Sequence, residues 1–186
     1  MVVKKDKGVR YSSGLDYMIE IKWNQSIIQN SATVLCISNY KQSFVNVTVI
    51  DLKTRRKNIV KSFQLTNRPT RLYQIDENNL LIGTEGGNIE HWIFDEGSCK
   101  KVYHAHPESD AGIASIIELS SKSELLRGEP YESNKDKFKL LATASRGAKE
   151  FRLWKLDLAT HELLPYLKIE TTIDGGIKYL MESQDT

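Results

Sequence analysis

From Phe44 to Asp51 the chain reads Phe-Val-Asn-Val-Thr-Val-Ile-Asp, with valine at every second position between Val45 and Val49. A period of two puts alternate side chains on opposite faces of a strand, so this run predicts a β-strand with one face in a core. Similar short runs, apolar or alternating and parted by polar turns, fill most of the chain. The first four are Tyr17–Trp23, Thr33–Asn39, Phe44–Leu52 and Asn58–Leu65. Thr70–Ile75, Asn79–Thr84, Asn88–Phe94 and Lys100–Tyr103 follow, with Asp76-Glu77-Asn78 and Glu85-Gly86-Gly87 supplying tight turns. Ile113–Leu119, Lys139–Ala144, Glu150–Leu156 and Glu162–Ile169 complete a third set of four, and Gly176–Met181 predicts one strand more.

The sets repeat. LCISNYKQSFVNVTVID, LLIGTEGGNIEHW and LLATASRGAKEFRLW share an order of small-residue strand, turn and strand ending near a large residue, and they align Ile50, Trp92 and Trp154. The first interval is 42 residues and the second 62, which is one period plus an insertion. A period near 40 is the mark of radial β-architectures. These lines resemble the WD-repeat β-propeller family, from about residue 16 to residue 181. The family's Gly-His pair stands here as Ala105-His106, Gly86 or Gly147 replaces its turn Asp, and a closing Asp directly follows the aligned position only at Asp51. The resemblance implies an all-β fold: a WD-repeat propeller segment, an incomplete ring of four-stranded antiparallel blades. Its blades cover about 16–65, 70–104 and 111–169, with the start of another at 172–186 and an insertion at 120–138. Of the family's buried hydrogen-bond network, His106, Thr143 and Trp154 could form a part. Trp92, Trp154 and His106 are the expected structural residues.

The composition independently suits such a core. Strand-centre residues Ile89, Trp92, Phe151, Leu153 and Trp154 imply cover on both faces. Gly83, Thr84, Ala142, Thr143, Ala144 and Ser145 are small enough for sheets to approach near a narrow centre. The 186 residues are 40% hydrophobic and 27% charged, in keeping with one soluble domain preceded by a basic tail at 1–15.

A net charge of +2, dispersed along the chain, gives no basis for a nucleic-acid partner. No run approaches the roughly 18 apolar residues of a membrane span, and no apolar signal segment follows Lys4 and Lys5, so neither membrane nor secretion is expected. A cytoplasmic site follows, with Cys36 and Cys99 as reduced thiols and the sequons at Asn24 and Asn46 unused.

Candidate chemistry is sparse. Cys99, His104 and His106 lie close together but match no usual zinc spacing. Glu85-Gly86-Gly87-Asn88 lacks the lysine and helix of a phosphate loop, and no nucleophile elbow surrounds any serine. The expectation is therefore a non-enzyme without cofactor, metal or small-molecule substrate.

Loops of a rigid β-scaffold carry contacts. One rim would present Tyr40, Lys41, Arg68, His106, Glu108, Asp110, Arg146 and Lys149. The other would present the insertion and a basic turn containing Lys53, Arg55, Arg56 and Lys57, with Lys61 beyond it.

Three blades and a strand leave two open faces, so a protein partner or further sequence of the same product should complete the ring. The expected role is a protein–protein interaction scaffold or structural subunit of a larger assembly, by analogy cytoskeletal or ciliary. The alternative is a regulatory adaptor that binds acidic or phosphorylated peptides through a rim.

Overall fold

The computed structural model describes residues 15–22, 32–39, 43–108, 111–120, 137–172, 177 and 180–181. Among them are twelve strands and no helix, hence no helix long and apolar enough to cross a membrane. The first sheet contains β1 (Leu15–Glu20), β2 (Ala32–Asn39), β3 (Phe44–Asp51) and β4 (Lys57–Gln64). In the second are β5 (Pro69–Gln74), β6 (Asn79–Thr84), β7 (Ile89–Ile93) and β8 (Ser98–Tyr103). The third holds β9 (Ile113–Leu119), β10 (Phe138–Ser145), β11 (Glu150–Asp157) and β12 (Leu163–Glu170). Each sheet is an antiparallel meander in which strands adjacent in sequence are adjacent in space.

Local chemistry explains the hairpins. Between β6 and β7 the chain turns through Gly86 and Gly87, at φ of 83° and 74°, where a side chain would be strained. At Gly87 a Cβ would also lie 2.2 Å from the carbonyl oxygen of His106. The β3–β4 and β11–β12 turns share Asp-Leu-x-Thr. Asp51 Oδ1 accepts the N–H groups of Lys53 and Thr54 at 2.8 and 3.1 Å, and Asp157 Oδ1 accepts those of Ala159 and Thr160 at 2.8 and 3.0 Å. The Thr54 and Thr160 N–H groups foremost hold these two carboxyls below the usual carboxylate range.

The sheets stack through their faces. Val45, Val47, Phe63 and Leu65 of the first meet Leu72, Leu80, Ile82, Trp92 and Phe94 of the second, with the Phe63 ring 5.3 Å from that of Trp92. The opposite face of the second sheet carries Leu81 and Ile89 against Ile113, Ile116, Leu141, Trp154 and Leu156 of the third. Having neighbours on both faces, β6 is buried at every position and its sequence shows no polar alternation. Each large aliphatic buried there stabilises the fold by roughly 1.5–3 kcal/mol. Gly83 permits close packing of β6 on β9: a Cβ at this position would lie 2.7 Å from Ile113 Cβ.

The far face of the third sheet is also apolar. Leu119, Leu140, Ala142 and Leu153 are buried there, Ile117, Phe138, Phe151, Tyr166 and Ile169 are only partly covered, and Leu180 from beyond β12 packs against them. Among the described residues no fourth sheet packs on this face, and no extensive contact joins the first sheet to the third.

Two readings of the sequence change. The strand expected at Gly176–Met181 is irregular at its described residues. Ile177 exchanges backbone bonds with Gly147 and Ala148, and the Leu180 N–H donates to Ser115 Oγ at 2.8 Å, while Gly176, Lys178 and Tyr179 lie outside the described residues. The alignment of Ile50 with Trp154 is displaced by two residues. Counting back from the shared turns, Asp51 and Asp157, puts buried Thr48 at the place of Trp154. Strand limits differ from expectation by one or two residues, with β6 and β9 as read, except that β1 runs Leu15–Glu20 and so ends three residues before the expected Trp23.

Candidate functional site

The two tryptophans at matching positions organise two buried polar clusters. Trp92 pairs with Leu80, and Trp154 with Leu141, at the same place in their strand ladders. Trp154 Nε1–H donates to Thr143 Oγ1 at 2.9 Å, and the same oxygen lies 3.0 Å from His106 Nε2. His106 arrives from the loop between β8 and β9, its N–H bonded to Gly87 O at 2.8 Å. Its Nδ1 is buried with no hydrogen-bond partner among the described residues. A charged imidazole would need an acceptor at both nitrogens, and burial, followed by the nearby Arg152, lowers the pKa to about 4. His106 is a neutral strut between sheets.

At the other tryptophan the acceptor is a carboxylate. Trp92 Nε1–H donates to Glu90 Oε2 at 2.8 Å, and the Thr66 hydroxyl donates to Glu90 Oε1 at 2.6 Å. Glu90 is 1% exposed. Neither Thr66 nor Glu90 was expected from sequence, because a glutamate between Ile89 and His91 reads as an outward position of a strand. A third cluster lies at the opposite end of the sheets. Asp76 accepts from Asn79 Nδ2 at 2.9 Å, Asn79 Oδ1 meets His91 Nε2 at 2.8 Å, and His161 of the β11–β12 turn reaches Asp76 Oδ2 at 3.0 Å. Burial lowers the His91 pKa to about 4. These contacts clamp the second sheet to the third, as do Lys101 with Glu162 at 3.2 Å and the Leu163 N–H to Tyr103 Oη at 3.1 Å.

The candidate rim residues divide. His106, Glu108, Arg146 and Lys149 come together around a cleft of about 610 Å³, completed by Ala111, Gly147, Ala148, Glu150, Lys168, Glu170 and Thr171. Arg146, Lys149 and Lys168 there face Glu108, Glu150 and Glu170, so formal charges balance. Glu150 is further occupied: it pairs with Arg152 at 2.9 Å and with Lys168. Burial opposes its ionisation, yet these two cations hold its carboxyl below the usual range. Among the described residues the cleft has no surplus of positive charge for a phosphate or an acidic peptide. Glu150, Lys168 and Glu170 were missed because the β11–β12 register, not sequence spacing, brings them beside the loop.

Arg68 stands elsewhere, 3.9 Å from Glu85. Lys53, Arg55, Arg56 and Lys57 do gather, all exposed, on the β3–β4 turn and the start of β4, with Arg55 in the left-handed region at φ 56°. Tyr40, Lys41, Asp110, the residues 121–136 of the insertion and the tail to residue 14 lie outside the described residues.

Cys99 is an exposed free thiol whose pKa burial raises. Exposed His104 faces Asn88 at 3.0 Å. Among the described residues no three His, Cys, Asp or Glu side chains gather as metal ligands.

No protein-family model matches the sequence, and comparison with curated proteins finds no match.

Proposed function

We propose that this chain is a WD-repeat-type propeller segment serving as a non-enzymatic interaction scaffold or structural subunit of a larger assembly. In this reading each sheet is a blade, and a partner chain or further sequence of the same product covers the open ends. The observation that carries it is the far face of the third sheet. Phe138, Phe151, Tyr166 and Ile169 form the same kind of apolar surface that the other sheets bury against neighbours, yet remain partly covered. A face of this composition left in water forgoes roughly 25 cal/mol for every Å² that association would cover. The Trp154–Thr143–His106 connection matches part of the network that the resemblance implies. The charge-balanced cleft favours the scaffold over an adaptor for acidic or phosphorylated peptides. A cytoskeletal or ciliary setting stays an analogy of the resemblance.

Solution mass by analytical ultracentrifugation, alone and with cell extract, tests the reading on the wild type and on Phe151→Glu/Ile169→Glu. The wild type should associate, and the double variant should keep its β-sheet circular dichroism while losing that association. A wild type that stays monomeric, unpartnered and unable to bind an apolar dye would refute it.

A further inference from the structure

We propose that the outer edge of β4 accepts an extended, acidic segment of a partner protein as a fifth strand, with Lys53, Arg55, Arg56 and Lys57 meeting its carboxylates. The inference rests on the assembly reading and names the chemistry of one contact.

The first sheet has the order β1-β2-β3-β4, which among the described residues leaves β4 with one hydrogen-bonded neighbour. The backbone groups on its other side are a template for a further strand. From Lys57 to Val60 every residue is exposed, and Ile59 and Val60, at 61% and 44%, show aliphatic side chains to solvent. Val60 is the extra residue of a bulge opposite Val47 and Thr48, which breaks the in-out alternation at this point.

Beside this edge the four cations are held by a formed turn. The Asp51 N–H donates to Arg56 O at 3.0 Å, and the Asp51 carboxylate is engaged by the turn N–H groups. Among the described residues no ion pair links Lys53, Arg55, Arg56 or Lys57 to a carboxylate. Lys61, further along β4, is engaged differently, since its ammonium donates to the carbonyls of Phe94 and Asp95 and so anchors the edge strand to the second sheet.

The last strands of the other two sheets lack this combination. On β8, Lys100 donates to Thr160 O at 2.9 Å and Lys101 pairs with Glu162, so both cations already serve the contact with the third sheet. On β12, Leu164 and Leu167 are exposed, but Lys168 is shared between Glu150 and Glu170. Of these three, and among the described residues, β4 alone joins an open edge, exposed aliphatics and positive charge outside any ion pair. The same charge opposes pairing with a second copy of β4, since like charges would then lie across the seam. An acidic strand meets no such barrier.

The test uses the full chain and fluorescence anisotropy with labelled peptides of about eight residues, a usual strand length. One alternates Glu with Val, one alternates Lys with Val, and one is the Glu/Val peptide with alternate backbone nitrogens methylated. The Glu/Val peptide should bind at least ~10-fold more tightly than either control, and Arg55→Glu/Arg56→Glu should weaken it about tenfold and flatten its salt dependence. Circular dichroism of the variant should be unchanged. Equal binding of the methylated peptide would reduce the contact to charge alone and overturn the proposal, as would equal binding of the Lys/Val peptide or of single-stranded RNA. The Phe151→Glu/Ile169→Glu variant separates the two readings: it should bind the peptide as the wild type does even though its open face is spoiled.

Discussion

Trp92 and Trp154 occupy the same rung of successive sheets, and each gives its indole N–H to a buried acceptor that a loop residue also engages. At Trp154 the acceptor is a neutral threonine hydroxyl on the neighbouring strand, braced by His106. At Trp92 it is the Glu90 carboxylate on the same strand, braced by Thr66. The difference follows from what stands across the ladder. Ile82 of β6 holds the place that Thr143 holds in β10, so the neighbouring strand offers no hydroxyl there and the indole donates to an acceptor two residues away on its own strand. The lesson is that the requirement common to the two sheets is satisfaction of a buried N–H, while the group that satisfies it is free to change. The cost differs too. A neutral pair needs only hydrogen bonds, whereas a buried carboxylate must be desolvated.

The strongest way to break the comparison is to remove the rings. Trp154→Ala and Trp92→Ala should each lose roughly 3–5 kcal/mol, the usual range for a large buried aromatic. Urea denaturation measures this, and a loss below about 1 kcal/mol at either site would show that its indole is not a core element.

Next comes the acceptor. Thr143→Val keeps the shape but leaves the Trp154 N–H and the His106 ring nitrogen without their shared partner, at about 2–3 kcal/mol in the same measurement. A loss no greater than that of an exposed Thr→Val control would deny the hydroxyl its role.

Protonation separates the two braces, because His106 titrates and Thr66 does not. Its folded pKa, about 4, lies below the unfolded value near 6.5, so the unfolded chain binds the extra proton first. Stability is therefore full above about pH 6.5 and falls as the pH drops toward 4, on the order of 2 kcal/mol by pH 5. His91 contributes in the same direction. The urea midpoint followed from pH 7.5 to 5 should decline in the wild type and decline less in His106→Gln. Parallel curves would show that His106 takes no part.

The smallest effect is expected at the other acceptor. Glu90→Gln retains an oxygen for the indole, lets the Thr66 hydroxyl reverse its bond, and removes a buried charge, so stability should change by less than about 1 kcal/mol in either direction. A loss of several kcal/mol would mean that the negative charge itself is needed, sharpening the contrast with Thr143.

Much of this was legible in advance, and the limits are instructive. The alternation of β3 and the continuous apolar run of β6 identified strands because burial on one face or on two leaves different patterns. The Thr143–Trp154–His106 cluster was legible only through the resemblance, which implies a buried hydrogen-bond network joining those three residues. Its counterpart was not, since nothing local marks Glu90 as buried: the first sheet, packed across Trp92, covers it. The misplaced equivalence of Ile50 had a similar cause. Hydrophobic character alone matched it to the tryptophans, whereas the repeated Asp-Leu-x-Thr turn, also present in the sequence, shows that Thr48 is the counterpart.

Around the cleft, His106, Glu108, Arg146 and Lys149 came from loops whose rim could be inferred, but Glu150, Lys168 and Glu170 depend on a ladder whose register shifts between Leu153 and Trp154. The basic turn was plain as a run of charge, and its Asp51 bonds and the openness of β4 were not.

By itself the sequence determined the strands, their turns and their grouping in fours, because side-chain alternation and turn chemistry act over a few residues. Tertiary structure decided which polar groups share a buried site, which charges cancel and which edge stays open. Those properties depend on what lies across a sheet or beyond its last strand, and residues that meet there are far apart along the chain.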